Sequence, residues 1–267
     1  MSEVAHNRPP NLFYSSIELP RVLQEMSLLL PAHSCLRKDR GGAGQPVMTL
    51  PGFGAGDYST AILRRYLRRW GYDARPWEAG PNMNPREMNS FDALREHMES
   101  LLEFLTARLE KINAETQQPV ALVGWSLGGI VSRLLASQRP DLVNQIISLG
   151  TPYGDFRSTV LYPLMSRING DEIDQADIDA WQDITNAPLE NIPLTVIYSK
   201  SDGFVAPHIA TMARGEWVEN IEVVSSHVGF AVNPVVLNLI ANRLTTPDKM
   251  WQPYAPQGMA RLLYKIA

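Results

Sequence analysis

The sequence contains one cysteine, Cys35, so no intrachain disulfide can form. That favours a reducing compartment, and the expected location is the cytoplasm. Basic residues are not in excess: 24 Lys and Arg stand against 28 Asp and Glu, for a formal net charge of −4. A broad electrostatic grip on nucleic acid is therefore not expected. The local cluster Arg64-Arg65 with Arg68-Arg69 reads as the solvated face of a helix. No apolar run is long enough to span a bilayer. The polar stretch from Met1 to Pro10 lacks the apolar core of a secretory signal. Internal repeats and dividing linkers are also missing. Residues 1–267 are expected to form a single domain, and a hydrophobic content of 45% suffices for a large core.

What the chain does have is a stretch from Pro119 to Val131, PVALVGWSLGGIV. Residues 119–123 form an apolar run too short for a helix, which suits a buried strand. From Ile130 to Leu135 the pattern turns helical, and Arg139-Pro140 ends it. Between them, Gly124-Trp125-Ser126-Leu127-Gly128 fits the G-x-S-x-G turn that places a serine at a strand-to-helix junction. Such a serine is held in a strained backbone conformation with its hydroxyl clear of the sheet. Glycines two residues before and after remove Cβ atoms that would collide with the neighbouring strand and helix. The helix N-terminus beneath the serine favours a developing anion.

The rest of the chain alternates strands and helices. Residues 1–16 read as a loose arm, and 19–30 as a helix stopped by Pro31, its apolar side (Leu19, Val22, Leu23, Met26, Leu30) packed on the body. Residues 1–45 thus form an arm and helix packed on the domain. Contact of that helix with a lipid surface is the weaker reading, because its polar face lacks a run of Lys and Arg. Strands are expected at 46–50, 72–77, 144–150, 194–198 and 221–224. Helices are expected at 60–70 with Ser59 as cap, at 91–112, and from Pro234 to Leu244. The segment 155–191 is too long for a simple connection and is read as one to three helices inserted over the sheet. The alternation predicts a mostly parallel sheet flanked by helices, with chemistry at the carboxyl ends of the strands.

A serine hydroxyl needs a base to become a nucleophile, usually a histidine oriented by a carboxylate. Of five histidines, His6 and His33 precede the first core strand, and His97 sits on the polar side of a long helix. His208 would have to share one loop with the acid. His227, in the loop after the last core strand, is the candidate base. Asp202 ends the preceding strand and is the candidate acid, with Asp155 as competitor. The backbone N–H groups of Leu127 and of Phe53, in the loop Pro51-Gly52-Phe53-Gly54, are the candidate oxyanion donors. The same glycines would also suit a plain tight turn into a helix. Trp125, Tyr162 and Met165, with Leu161, are expected to contact substrate, and their apolar character favours an apolar one.

Together these residues resemble the α/β-hydrolase superfamily, specifically its esterase and lipase-like members, over roughly Pro46 to Leu244. The chain order Ser126, Asp202, His227 is the family's order. The resemblance implies the α/β-hydrolase fold with an eight-stranded, mostly parallel sheet, a Ser-His-Asp triad, and neither metal nor organic cofactor; the insertion at 155–191, by its length and mixed composition, is expected to add a helical cap. Leu149-Gly150-Thr151-Pro152 is similar to the family's segment before a lid. Many members carry His-Gly where this chain has Pro51-Gly52, and the Gly-Gly-Gly variant is absent, which leaves the substrate open. The reaction expected is hydrolysis of a small-molecule carboxylic ester. An acyltransferase or thioesterase would use the same triad, and an amide could be cleaved by it. From a different class, a binding protein on this scaffold would be expected to have lost a triad member, and none is lost here. Fold alone decides none of this.

Overall fold

The computed structural model describes residues 8–36, 41–83, 91–163, 175–187, 189–245 and 251–267. Six parallel strands form its centre: β1 (Pro46–Leu50), β2 (Asp73–Pro76), β3 (Val120–Trp125), β4 (Val143–Leu149), β5 (Leu194–Tyr198) and β6 (Val218–Glu222). A short β7 (Lys265–Ile266) pairs antiparallel with β6. The order across the sheet is β2-β1-β3-β4-β5-β6-β7. The resemblance implied eight strands; among the described residues there are seven.

The helices are α1 (Leu12–Ser16), α2 (Glu18–Leu36), α3 (Ala61–Arg69), α4 (Phe91–Thr116), α5 (Leu127–Gln138), α6 (Gln175–Thr185), α7 (Pro234–Leu244) and α8 (Ala260–Leu263). Strand side chains alternate between the two faces. Val47, Ala121, Val123 and Ile147 pack with α3 and α7 through Leu63, Leu67, Leu237 and Ile240. Met48, Leu122 and Ile146 pack with α4 and α5 through Leu105, Leu109, Val131 and Leu135. Because both faces are covered, β1, β3 and β5 are buried along their whole length and read as apolar runs. After β1 the chain moves outward to β2, then crosses back to lay β3 on the other side of β1. The loops following β1 and β3 therefore open the sheet at this reversal, where a crevice forms at the carboxyl ends. No helix among the described residues is long and apolar enough to cross a membrane.

Several boundaries differ from the sequence reading. The arm contains α1, capped by the Asn11 side chain, which accepts from the Phe13 N–H. Helix α2 does not stop at Pro31 but runs on to Leu36. Its end is anchored: Leu36 is buried, and its carbonyl accepts the Trp70 indole N–H at 2.6 Å. Packing of that last turn outweighs the loss at Pro31 of one helical hydrogen bond. The helix is also turned relative to expectation. Leu19, Leu23 and Leu30 are 71%, 61% and 81% exposed, whereas Glu18 and Glu25 are buried. Ser59 does not cap α3; a 3₁₀ turn at Asp57–Thr60 precedes it, and the Ser59 hydroxyl donates to the Gly56 carbonyl. The strand expected at 221–224 is centred earlier, at Val218–Glu222, where β5 supplies its partners. Within residues 155–191, the described part holds a 3₁₀ turn at Phe156–Ser158 and helix α6.

Candidate active site

Strand β3, bonded to β1 and β4, delivers the chain to Ser126. There the backbone takes φ 53° and ψ −121°. A side-chain-bearing residue rarely adopts such a conformation, which costs on the order of 1–3 kcal/mol. Three bonds hold it in place. The Ser126 N–H donates to the Leu149 carbonyl at 2.8 Å, and the Ser126 carbonyl accepts from Gly129 N–H and the Thr151 hydroxyl, both at 3.0 Å. The flanking glycines are steric necessities. A Cβ at position 124 would lie 2.3 Å from the Gly128 carbonyl oxygen, and one at 128 would lie 2.4 Å from that of Leu50. The turn is thus pressed between its own helix and the end of β1.

Asp202 follows β5 and His227 follows β6, and both are almost fully buried. His227 Nδ1 lies 2.8 Å from Asp202 Oδ2. The other carboxylate oxygen accepts the N–H groups of Phe204 and Val205 at 2.7 and 2.8 Å, so the carboxylate has a fixed orientation. A carboxylate on Nδ1 selects the tautomer with its proton there and leaves Nε2 as acceptor. The imidazole is also confined by rings. Phe204 stacks on it at 5.2 Å, and Phe230 meets it edge-on at 6.3 Å. Asp155, the competing acid, is engaged elsewhere: it caps the turn at Phe156–Ser158 and pairs with Arg157 at 2.5 Å. His208 sits in a separate 3₁₀ turn at Pro207–Ile209. His97 is half-buried in α4 rather than on an open polar face.

Ser126, His227, Phe53 and Leu127 all line one cavity of about 90 Å³. Its remaining lining is largely apolar and includes Met83, Ile130, Phe156, Leu161 and Trp181. Phe156, Leu161 and Trp181 come from the 155–191 insertion, which therefore borders the same space as Ser126. Leu127 is the first residue of α5, where helical N–H groups have no intrahelical acceptor. The Phe53 loop is braced by the fully buried Asn82. Its side-chain amide donates to the Pro51 carbonyl at 2.7 Å, and its own carbonyl accepts the Gly54 N–H at 2.6 Å. Sequence reasoning gave Asn82 no role, since it lies in a loop far from β1 in the chain.

Two expected substrate contacts fall elsewhere. Trp125 does not line the cavity; its indole N–H donates to the His227 carbonyl at 2.9 Å, behind the imidazole. The cause is strand alternation, which sends residue 125 into the core while Ser126 turns outward. Tyr162 does not line the cavity; its ring lies tilted against Phe156 at 6.1 Å between centroids, and Leu161 takes the lining position. Met165 lies outside the described residues. Among the described residues, no three His, Cys, Asp or Glu side chains are grouped as metal ligands.

Helix α2 supplies polar contacts that sequence reasoning also missed. Glu18 accepts the N–H groups of Gly203 and His227 at 2.8 and 3.0 Å. Glu25 accepts from the Ser226 N–H at 2.7 Å and its hydroxyl at 2.6 Å. Burial raises the Glu25 carboxyl above its ordinary value of 4.5, more than the Ser226 bonds and Arg21 lower it. The folded protein then holds this proton more tightly than the unfolded chain. Its contribution to stability is complete below pH 4.5 and is lost as pH rises through the folded value. Glu25→Gln keeps an acceptor for the Ser226 N–H and removes the buried charge. Thermal unfolding should show the variant more stable than wild type at pH 8, with the gap closing toward pH 4. A constant gap across that range would mean that Glu25 does not titrate as described.

The family model described as alpha/beta hydrolase fold matches residues 47–167. Among solved structures, Aspergillus fumigatus lipase B superposes with a TM-score of 0.54 at 17% identity, covering 78% of this chain and 54% of the other. This chain spans about half the length of that lipase. Bacillus licheniformis lipase BlEst2 in mature form also gives a TM-score of 0.54 at 17% identity, covering 76% of this chain and 92% of the other. A structure described with LipS and LipT, two metagenome-derived lipolytic enzymes, gives 0.53 at 16% identity, with 76% and 92% covered. No curated protein matches the sequence significantly.

Proposed function

We propose that this chain, a member of the α/β-hydrolase superfamily by its fold, hydrolyses carboxylic esters through an acyl-enzyme on Ser126. One observation carries the reading. Ser126, in its strained turn, opens onto the same apolar cavity as His227, whose Nδ1 meets buried Asp202 at 2.8 Å. A decayed scaffold would have no reason to retain the strain at Ser126 together with a buried, oriented carboxylate–imidazole pair.

In this reading, Ser126 Oγ adds to the ester carbonyl carbon as its proton passes to His227 Nε2. The carbonyl oxygen becomes an oxyanion facing the N–H groups of Leu127 and Phe53. The tetrahedral adduct collapses, the ester C–O bond breaks, and His227 returns the proton to the departing alcohol. Water then gives a proton to His227 and adds to the acyl carbon. Collapse expels the carboxylic acid, and Ser126 Oγ regains its proton. Asp202 keeps its negative charge throughout and stabilises the imidazolium. These steps take place in the cavity lined by Phe53, Leu127 and Phe204.

The lining favours an ester with an apolar acyl or alcohol part, a small molecule rather than a charged polymer. The described part of the 155–191 insertion acts as a cap that reads substrate length. Hydrolysis of p-nitrophenyl esters of increasing chain length tests this, with product analysis in the presence of methanol to separate hydrolysis from acyl transfer. Leu161→Ala and Trp181→Ala should move the kcat/KM preference toward longer acyl chains, by about tenfold per 1.4 kcal/mol of differential binding. An unchanged chain-length profile in both variants would remove the insertion from substrate selection.

A further inference from the structure

The candidate acid and base stand on two separate loops, one after β5 and one after β6. Their 2.8 Å contact survives only if those loops keep a fixed separation. A direct bond joins them where they leave the sheet, from the Ser225 N–H to the Ser199 hydroxyl oxygen at 3.2 Å. Nearer the acid and the base, the element that touches both loops is α2.

A single atom, Glu18 Oε1, accepts the N–H of Gly203, the residue after the acid, and the N–H of His227, the base itself. One helical turn on, Arg21 donates to the carbonyl of Ser201, the residue before the acid, and to its hydroxyl at 2.8 Å. Two turns on, Glu25 holds both the N–H and the hydroxyl of Ser226, the residue before the base. Positions 18, 21 and 25 share one side of a helix. The loops are shaped to admit these carboxylates. A Cβ on Gly203 would lie 2.7 Å from Glu18 Oε1, and one on Gly229 would lie 1.5 Å from Glu25 Oε2.

The orientation of the helix supports the same point. Hydrophobic burial alone would turn Leu19, Leu23 and Leu30 inward, yet these are exposed while Glu18 and Glu25 are buried. A buried carboxylate is tolerated only where charge-assisted bonds replace its water. The first two turns of this helix forgo apolar burial to place carboxylates against main-chain donors of the two loops, while Leu29, Ala32 and Leu36 pack its far end on the core.

We infer that Glu18 is a positioning residue for the acid–base pair, and that α2 is thereby part of the catalytic apparatus. The inference rests on reading Asp202 and His227 as that pair. Glu18 touches no reacting atom. With the direct bond between the loops, it holds the distance across which Asp202 orients His227, and a misplacement of about 1 Å in such an arrangement can cost on the order of 100-fold in rate.

The test compares wild type, Glu18→Ala, Glu18→Gln and Ser126→Ala in the full chain, with p-nitrophenyl butyrate as substrate. Unfolding followed by circular dichroism fixes a temperature at which each variant is folded. Proton NMR follows the low-field resonance of the His227 Nδ1 proton shared with Asp202. Glu18→Ala should lower kcat by on the order of 100-fold, leave KM within about twofold, and broaden or abolish the low-field resonance. Glu18→Gln keeps an oxygen for the two N–H groups and should restore kcat to within about tenfold of wild type, with the resonance present. A purely structural glutamate would lower the unfolding temperature and leave kcat and the resonance unchanged in the folded protein. That result, or a loss confined to KM, overturns the inference. If Glu18→Ala does not fold, Glu18→Asp decides: its carboxylate is one methylene shorter and withdraws from the two N–H groups, so a kcat loss of more than about tenfold with a shifted resonance supports the role, and wild-type values for both refute it. Full activity in Ser126→Ala would instead overturn the reading of the site, independently of Glu18.

Discussion

Replacing Ser126 with alanine should abolish ester hydrolysis while leaving the protein folded. The bonds that hold this turn are made by the main-chain N–H and carbonyl of residue 126, and alanine retains both. Only the hydroxyl oxygen is lost, and with it the acyl-enzyme route. Nucleophile knockouts in comparable triads cost on the order of 10⁶ in kcat, and the remainder reflects binding and oxyanion stabilisation alone. Steady-state kinetics on the purified variant, with its unfolding curve as a fold control, measures this. Retention of more than a small fraction of wild-type turnover would mean that the nucleophile lies elsewhere.

The second large effect is expected at Asp202. Asp202→Asn preserves shape and can still accept the N–H groups of Phe204 and Val205 through its oxygen. Its NH₂ would then face His227 Nδ1 and force the proton onto Nε2, the nitrogen that must accept from serine. An inverted tautomer of this kind costs on the order of 10⁴ in kcat near neutral pH. Asp155→Asn should change little, because Asp155 serves Arg157 and a local turn rather than the imidazole. Comparing kcat for the two variants measures the assignment, and the reverse ranking would transfer the acid role to Asp155.

Much of the arrangement was legible in the sequence because local chemistry dictated it. Gly124, Ser126 and Gly128 are spaced as the turn requires, and the structure shows what a Cβ at either glycine would strike. Strands β1, β3 and β5 are buried throughout and largely apolar because both faces of the sheet are covered. Asp202 and His227 could be ranked by their places after strands, and the structure brings them together. What stayed hidden depends on tertiary contacts. Helix α2 shows an apolar stripe that amphipathic reasoning turns inward, but the polar groups of two distant loops claimed its other face. The i, i+3, i+7 spacing of Glu18, Arg21 and Glu25 was the available signal, and only the loops give it meaning. Trp125 packs against His227 rather than lining the cavity, because adjacency to Ser126 in sequence does not place a side chain on the same side of the strand. Asn82 braces the Phe53 loop from a residue more than a helix away in the chain, which no spacing rule links to it.

Covalent trapping tests the central claim most directly. The protein should be incubated with a p-nitrophenyl alkylphosphonate, digested, and analysed by mass spectrometry for the site of modification. The phosphonyl group takes the place of the acyl carbon and stays on whichever residue attacks it. The account predicts one phosphonyl group per chain, on the peptide carrying Ser126, with no label in Ser126→Ala and slowed labelling in Asp202→Asn. Stoichiometric label on another residue, or equal labelling of the Ser126→Ala protein, would contradict it.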